Sequence, residues 1–330
     1  MSAGLKDVAA AAGVSVKTAS NVVNGYQFVS DDTRERVLAA IAELDYRPNL
    51  SARRLRTGRS NLIALSVTEI QAPYYAELAS EVLDAAELRG WTVLIDKARS
   101  GEDSDRRPRL PSDLVDGAIA SPPPSDAGEF RNVEAGHPLV LLGERLSAVD
   151  ADHVAIDNIG AAAQATRHLI GMGRNEIAGI GGYAEPTDSL RLRGFLGAIA
   201  EADRRHDPEL MVSVRRNHRK EGFDAMRSLL SRQPRPDAVF CFNDLLALGA
   251  IRAIRSAGLK VPNDVAVVGF DDIEDGRYSS PTLTTVSPDK AGIARAAVDL
   301  LAGRIEHPAP VRAREIFASH RLIVRESTSG

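Results

Sequence analysis

Two stretches of this 330-residue sequence carry side chains whose types and spacing could do chemistry on a nucleic acid. The first is SVKTASNVVN, residues 15–24. If it is a helix, Val16, Lys17 and, one turn on, Asn21 lead its outward face. Lysine can reach the O6/N7 edge of guanine, asparagine can pair with adenine, and valine can touch a thymine methyl. Thr18, Ser20 and Asn24 can hold phosphates, which positions a protein without reading sequence. The second is RPNLSARRLRTGR, residues 47–59, with five arginines, no acid, and Leu55 between two of the arginines. Such a cluster suits phosphate neutralisation.

The elements that must present these groups are short helices. LKDVAAAA (5–12) puts Leu5, Val8, Ala9 and Ala12 on one face and is followed by Gly13, a natural left-handed stop. Ser15 can cap the next helix with its hydroxyl, and Ala19, Val22 and Val23 can turn inward. A third helix is predicted to begin near Ser30. Asp32 and Glu35 have capping-box spacing, Val37, Ile41 and Leu44 make the apolar stripe, and Arg47-Pro48 stops it. Two helices joined by a Gly-containing turn form a helix-turn-helix.

Charge is divided along the chain. Residues 1–60 carry nine Lys/Arg against six Asp/Glu, a net of +3; with −4 for the whole chain, the remaining 270 residues carry −7. A basic head on an acidic body implies that only the head meets a polyanion. The body reads differently. Strand-like runs (LIALSV, WTVLI, VDGAIA, PLVLL, EIAGIGG, DAVFCF, VAVVGF) alternate with amphipathic ones (YYAELASEVLDAAELRG, AAAQATRHLIGMG, SLRLRGFLGAIAEA, DLLALGAIRAIRSAGL). This alternation implies parallel sheets flanked by helices, in two lobes, with ligands at the strand C-terminal ends. The fold class expected is an all-α helix-turn-helix head plus an α/β two-lobed body.

GLKDVAAAAGVSVKTASNVVNG and VSDDTRERVLAAIAELDYRPN resemble the DNA-binding head of the lactose-repressor (LacI/GalR-type) family of bacterial transcription regulators over about 60 residues. The family often has Arg where this chain has Asn21, so its base preference there should differ. The resemblance implies that residues 49–60 form a hinge helix that folds on DNA, with Leu55 as the wedge that unstacks a central base step. Asn49 or Ser51 can cap that helix, and about two turns are marginal alone in water. The DNA-binding set is therefore Ser15, Val16, Lys17, Thr18, Ser20, Asn21, Asn24, Ser51, Arg53, Arg54, Leu55 and Arg56.

The body is similar to the periplasmic-binding-protein-like regulatory domain of the same family over most of 61–326. RLRGF matches the Arg-x-x-Gly-aromatic helix start and identifies Arg191 as a ligand arginine. CFNDLLALGA identifies Asn243 as a ligand contact with Asp244 as a support, and VGFDD identifies Asp271, with Asp272 read as a turn cap. QAPYYAEL supplies Tyr74 and Tyr75. Arginine donors, a carboxylate for vicinal hydroxyls and an amide that does both together suit a polyhydroxylated effector, a carbohydrate. The implied domains are 1–48 (head), 49–60 (hinge) and 61–330 (body). The body divides into an N-lobe at about 61–160 and 288–326 and a C-lobe at about 161–287. Three departures from the family stand out: the Pro-broken polar segment 96–116 where a helix is usual, Asn217 where sugar binders place a Trp, and Gly143 with the acid one later at Glu144.

Other classes fit less well. GIGG (179–182) lacks dinucleotide-loop spacing and reads as a turn. Seven histidines show no metal-type spacing and Cys241 is the single cysteine, so no metal or cofactor is expected. No nucleophile elbow or phosphate loop is present, which leaves an enzyme or a plain cytoplasmic binding protein as the alternatives to a regulator. The first residues lack a signal peptide and no long apolar run occurs, so the expected location is the cytoplasm. The partners expected are a pseudo-palindromic DNA operator, the small-molecule effector and a second copy in a homodimer. The ending LIVRESTSG carries no leucine heptads, so a tail-built tetramer is not expected.

Overall fold

The computed structural model describes residues 3–23, 26, 28–46, 59–97, 114–121, 137–143, 151–182, 190–205, 207–307 and 312–329. Two units divide the chain, residues 1–60 and 61–330.

In the first unit, α1 (Leu5–Ala11), α2 (Val16–Val23) and α3 (Asp31–Glu43) enclose a small core of Val8, Ala9, Ala12, Ala19, Val22, Val37 and Ala40. Gly13 takes φ +62° between α1 and α2, a left-handed turn that a side chain would disfavour. Ser15 caps α2, its hydroxyl accepting from the Thr18 amide at 3.0 Å. α3 starts two residues earlier than a cap at Asp32 would place it: Ser30 is the N-cap. It also stops before Arg47-Pro48, with Leu44 as its C-cap and Asp45 in a left-handed conformation at φ 42°.

In the second unit each lobe is a six-stranded sheet. Lobe 1 has β1 (Leu62–Val67), β2 (Thr92–Lys97), β3 (Gly117–Ser121), β4 (Leu139–Leu142), β5 (Asp152–Ile156) and β11 (Glu315–Ala318), in the all-parallel order β11-β5-β4-β3-β1-β2. Helices α4 (Pro73–Glu87) and α10 (Lys290–Glu306) belong to it. Leu78 and Val82 of α4 and Ala297 and Leu301 of α10 pack with the buried residues of β1, β4 and β5. Lobe 2 has β6 (Ile177–Ile180), β7 (Met211–Val212), β8 (Ala238–Cys241), β9 (Ala266–Phe270), β10 (Thr284–Pro288) and β12 (His320–Ile323), in the order β12-β10-β9-β8-β6-β7. Its helices are α5 (Asn158–Gly171), α6 (Leu190–Glu201), α7 (Arg219–Leu230), α8 (Asp244–Ser256) and the short α9 (Glu274–Arg277).

The chain crosses between lobes three times. β5 leads to α5 and β10 leads to α10 through the same local device, an aspartate N-cap three residues before a glycine. Asp157 accepts from the Gly160 amide and Asp289 from the Gly292 amide, each at 2.9 Å. The third crossing is the single residue Ser319 between β11 and β12, and its carbonyl accepts from the Asp289 amide at 3.0 Å. This crossing corrects the expected lobe boundary: residues 320–323 pair antiparallel with β10 in lobe 2, so 288–326 do not all return to lobe 1. β5, β11, β12 and α7 are elements the sequence pattern did not announce.

β2, at the edge of the lobe 1 sheet, leaves Leu94 and Ile95 exposed. Most of the polar segment 96–116 lies outside the described residues, as does Glu144. No described helix is long and apolar enough to cross a membrane.

Candidate functional site

In the head, Val16 (43 % exposed) and Lys17 point to solvent at the start of α2 and Asn21 is half-buried one turn on. Ser15 and Thr18 hydroxyls lie 2.8 Å apart and bond each other. Ser20 is buried, at 7 % exposure, next to the core residue Ala19. Val23, expected inward, is only half-buried. Asn24, Ser51, Arg53, Arg54, Leu55 and Arg56 lie outside the described residues.

In the body, the site assembles where β6, β8 and β9 end. The spacing Arg-x-x-Gly-Phe in α6 has a packing explanation. A Cβ at Gly194 would meet the Ile159 carbonyl oxygen at 2.2 Å, so only glycine lets α6 lie this close to α5. Phe195 is fully buried below it. That close approach brings Arg191, one turn earlier, to the N-terminal end of α5, where its Nε donates to Asn158 Oδ1 at 3.0 Å. Its Nη1 donates to the Phe242 carbonyl, and the guanidinium lies 3.6 Å from the centroid of the Phe270 ring. The arginine is thus held flat by three partners, with Nη2 turned to Asp271.

Asp271 directly follows β9 in an unusual backbone conformation, φ 113°, and Asp272 comes next at φ 49°. Two consecutive non-glycine residues at positive φ are a place where surrounding structure pays for strain. The strain is held by Asp244, which is fully buried beneath the loop. Its Oδ2 accepts from the Ile273 amide at 2.9 Å and its Oδ1 accepts from the Thr285 hydroxyl at 2.6 Å. Burial, then the nearby charge of Asp271, pushes the Asp244 carboxyl well above its ordinary range. Asp272 corrects its reading as a turn cap. It joins Arg325 (2.7 Å), Ser287 (2.9 Å) and Arg277 (3.1 Å), clamping the loop to the hinge strand β10 and to the chain's last residues.

The Asp271 carboxylate itself is under-filled. Its Oδ1 is 3.8 Å from Arg191 Nη2, a charge contact beyond hydrogen-bond length, and among the described residues no hydrogen bond reaches its side chain. Burial raises its pKa to about 6 against the opposing charges of Arg191 and Lys290, with Glu77 adding to the rise. Lobe 1 faces it with Tyr74 and Tyr75, whose rings meet edge to face at 5.3 Å in the first turn of α4. Burial, and then the Asp271 charge, pushes the Tyr74 hydroxyl up. Lys290 lies 5.8 Å from the Tyr74 ring centroid.

Asn243 is placed at the site but is largely occupied by the protein. It caps α8, Oδ1 accepting from the Leu246 amide at 2.9 Å, and its Nδ2 donates to the Asn217 carbonyl at 3.0 Å. Asn217, where a ring-stacking Trp was noted as usual, therefore serves through its backbone. His218 next to it lies 3.3 Å from Glu69, a link from lobe 2 to the loop after β1 in lobe 1. Gly181 takes φ 145° with its Cβ position 2.4 Å from Phe242, so GIGG is the last two residues of β6 and a tightly packed exit from it. Sequence reasoning missed Asn158, Phe242, Lys290 and Glu77; only tertiary placement brings them here.

Comparison with known proteins agrees with this architecture. The model of bacterial regulatory proteins, lacI family, matches residues 4–49, and that of the periplasmic binding protein-like domain matches residues 166–328. The chain is 33 % identical to the ribose operon repressor of Haemophilus influenzae, over 98 % of each chain. Among solved structures it is similar to the transcriptional regulator CelR–cellobiose complex (36 % identity, 98 % of this chain and 99 % of that chain, TM-score 0.73). It is also similar to the lac repressor dimer bound to operator and the anti-inducer ONPF (28 % identity, 99 % of each chain, TM-score 0.84). This chain belongs to the lacI family of bacterial regulatory proteins.

Proposed function

We propose that this protein is a sequence-specific transcriptional repressor whose hold on DNA is set by a small polyhydroxylated molecule, a sugar or sugar derivative, bound between the lobes of its body. The observation that carries the ligand half is the Asp271 carboxylate: buried, charge-paired at 3.8 Å, and left with acceptor capacity that ligand hydroxyls can fill. Arg191 flat on Phe270 and the Tyr74–Tyr75 pair give the cleft a donor face and apolar faces, the mix a sugar needs. That a similar regulator is complexed with cellobiose supports this class.

For the DNA half, Val16, Lys17 and Asn21 read base edges, and Ser15 and Thr18 fix the start of the recognition helix. Residues 49–60 act as the hinge, with Ser51, Arg53, Arg54 and Arg56 on the backbone and Leu55 as the wedge. Two copies pair through isologous faces and span a near-palindromic operator, as the operator-bound lac repressor dimer supports. A bound ligand shifts the population of lobe arrangements, and the hinges follow. The place of action is the cytoplasm, where the DNA is. The relatives are regulators, which favours this reading over an enzyme using the cleft.

The test is selection of host genomic fragments by the full-length protein, sequenced with and without added cell extract. A near-palindrome enriched beside a promoter is the expected result. No enrichment under either condition overturns the reading.

A further inference from the structure

Beside the cleft, an ion pair within lobe 1 holds two backbone groups of lobe 2. Glu77 sits on α4 of lobe 1. Its Oε1 accepts from the backbone N–H of Glu274, the first residue of α9 in lobe 2, at 3.0 Å. Its Oε2 accepts from the Nζ of Lys290, in the first turn of α10, at 2.5 Å. The same ammonium donates to the Asp272 carbonyl of lobe 2 at 3.0 Å. Two side chains of lobe 1 thus grip the backbone just after Asp271.

We propose that Lys290 and Glu77 are positioning residues that form an interlobe latch and sense occupancy of the cleft through the Asp272–Ile273 peptide, the one that follows Asp271 and Asp272. The inference rests on reading the cleft as a ligand site. Its mechanics follow from what can and cannot move. The Asp272 side chain is fixed by Arg325, Ser287 and Arg277, so it cannot follow a rotation of Asp271. The Asp272 carbonyl is the group that Lys290 holds, and it directly follows the strained pair of residues Asp271 and Asp272. A ligand that draws Asp271 toward itself reorients that neighbourhood and loads the Lys290 contact. Lys290 also senses the site directly, since its charge acts on Asp271 and it faces the Tyr74 ring.

The latch is built to part. Lys290 is 11 % exposed and Glu77 31 %, so neither is sealed in the core. Both border an open polar groove that Arg277, Asp289 and Arg321 also line, where water can solvate the charges once they release the lobe 2 backbone. Fully buried charges would be much costlier to strip of these partners.

The test reads two amides by hydrogen exchange resolved to single residues, on the full-length protein. The Glu274 amide reports the latch because it donates to Glu77, while the Leu246 amide, which donates to Asn243 at the start of α8, serves as the internal control. Lys290→Met should speed exchange at Glu274 by about tenfold and leave Leu246 near its original rate, and Lys290→Arg should retain most of the protection. Asp271→Asn should alter the Glu274 rate in the otherwise native chain and lose that effect in the Lys290→Met background, the non-additivity expected of coupled groups. Should Lys290→Met fold poorly, Glu77→Gln removes the ion pair while its amide oxygen can still accept from Glu274, and the same loss of coupling is expected. The proposal is overturned if Glu274 exchanges within about twofold of the native rate in Lys290→Met, or if Asp271→Asn acts equally in both backgrounds. These rates do not depend on DNA, so failure of the latch is distinguishable from a failure to enrich genomic fragments, which would strike the regulator reading instead.

Discussion

Two buried aspartates facing arginines, one in each half of the body, have opposite character. Asp152 on β5 of lobe 1 is wholly shielded from solvent and saturated with donors. Arg304 reaches it at 2.9 and 3.0 Å, and Arg314 at 2.7 Å by side chain and 2.8 Å by its backbone amide. Burial pushes its carboxyl up, but these hydrogen bonds and the Arg304 charge outweigh that and hold it at about 2. Asp271 in the cleft is also buried, with a single arginine at 3.8 Å, and it ends at about 6. A saturated carboxylate is scaffold: Asp152 clips α10 and the entry to β11 onto β5. An under-filled one costs stability and is left available for a ligand's donors.

The comparison is broken most directly by Asp152→Asn. Removing the charge leaves two guanidinium groups facing a neutral amide, with an expected loss of about 3 kcal/mol of unfolding free energy in a denaturant titration. A loss under about 1 kcal/mol would mean the cluster is not structural. Asp271→Asn should instead leave stability at neutral pH unchanged or raised, by up to about 2 kcal/mol, because it removes a buried, poorly paired charge.

pH sharpens the same contrast. Asp271 has a raised pKa, so its contribution to stability is fully present below its unfolded value near about 4 and is lost as pH rises through about 6. Asp152 has a depressed pKa, so its contribution is present above about 4 and is lost as pH falls toward about 2. Unfolding midpoints of the native chain minus those of each Asn variant should therefore slope in opposite directions, downward with rising pH for Asp271 and upward for Asp152. Parallel slopes would remove the distinction. A smaller effect is expected in the head. Lys17→Ala should relax base preference at one operator position by about 1–3 kcal/mol, measured by binding to single-base operator variants, whereas a uniform drop across sequences would make it a phosphate contact. The smallest belongs to an exposed pair: Arg167→Ala, which parts Arg167 from Glu201, should change stability by less than about 1 kcal/mol.

What the sequence disclosed follows the range over which each determinant acts. The three head helices were legible because caps, a glycine stop and apolar spacing are local, as at Ser15 and Gly13. Arg191 was legible because Gly194 and Phe195 beside it answer to the same helix contact. The swap of β11 and β12 between sheets turns on the single residue Ser319, and nothing in IFASHRLIV marks it. Asp272 looked like a turn residue, yet its partners Ser287 and Arg325 are 15 and 53 positions away. Lys290 and Glu77 were invisible for the same reason: 213 residues separate them in sequence.

The most direct measurement is operator affinity of the native chain and of Asp271→Asn, taken across a panel of neutral mono- and disaccharides that includes cellobiose, using the operator recovered by fragment selection. At least one sugar should shift the native affinity by about tenfold or more while the variant shifts far less. If Asp271→Asn responds to that sugar with the native midpoint and amplitude, the cleft carboxylate is not where the ligand acts.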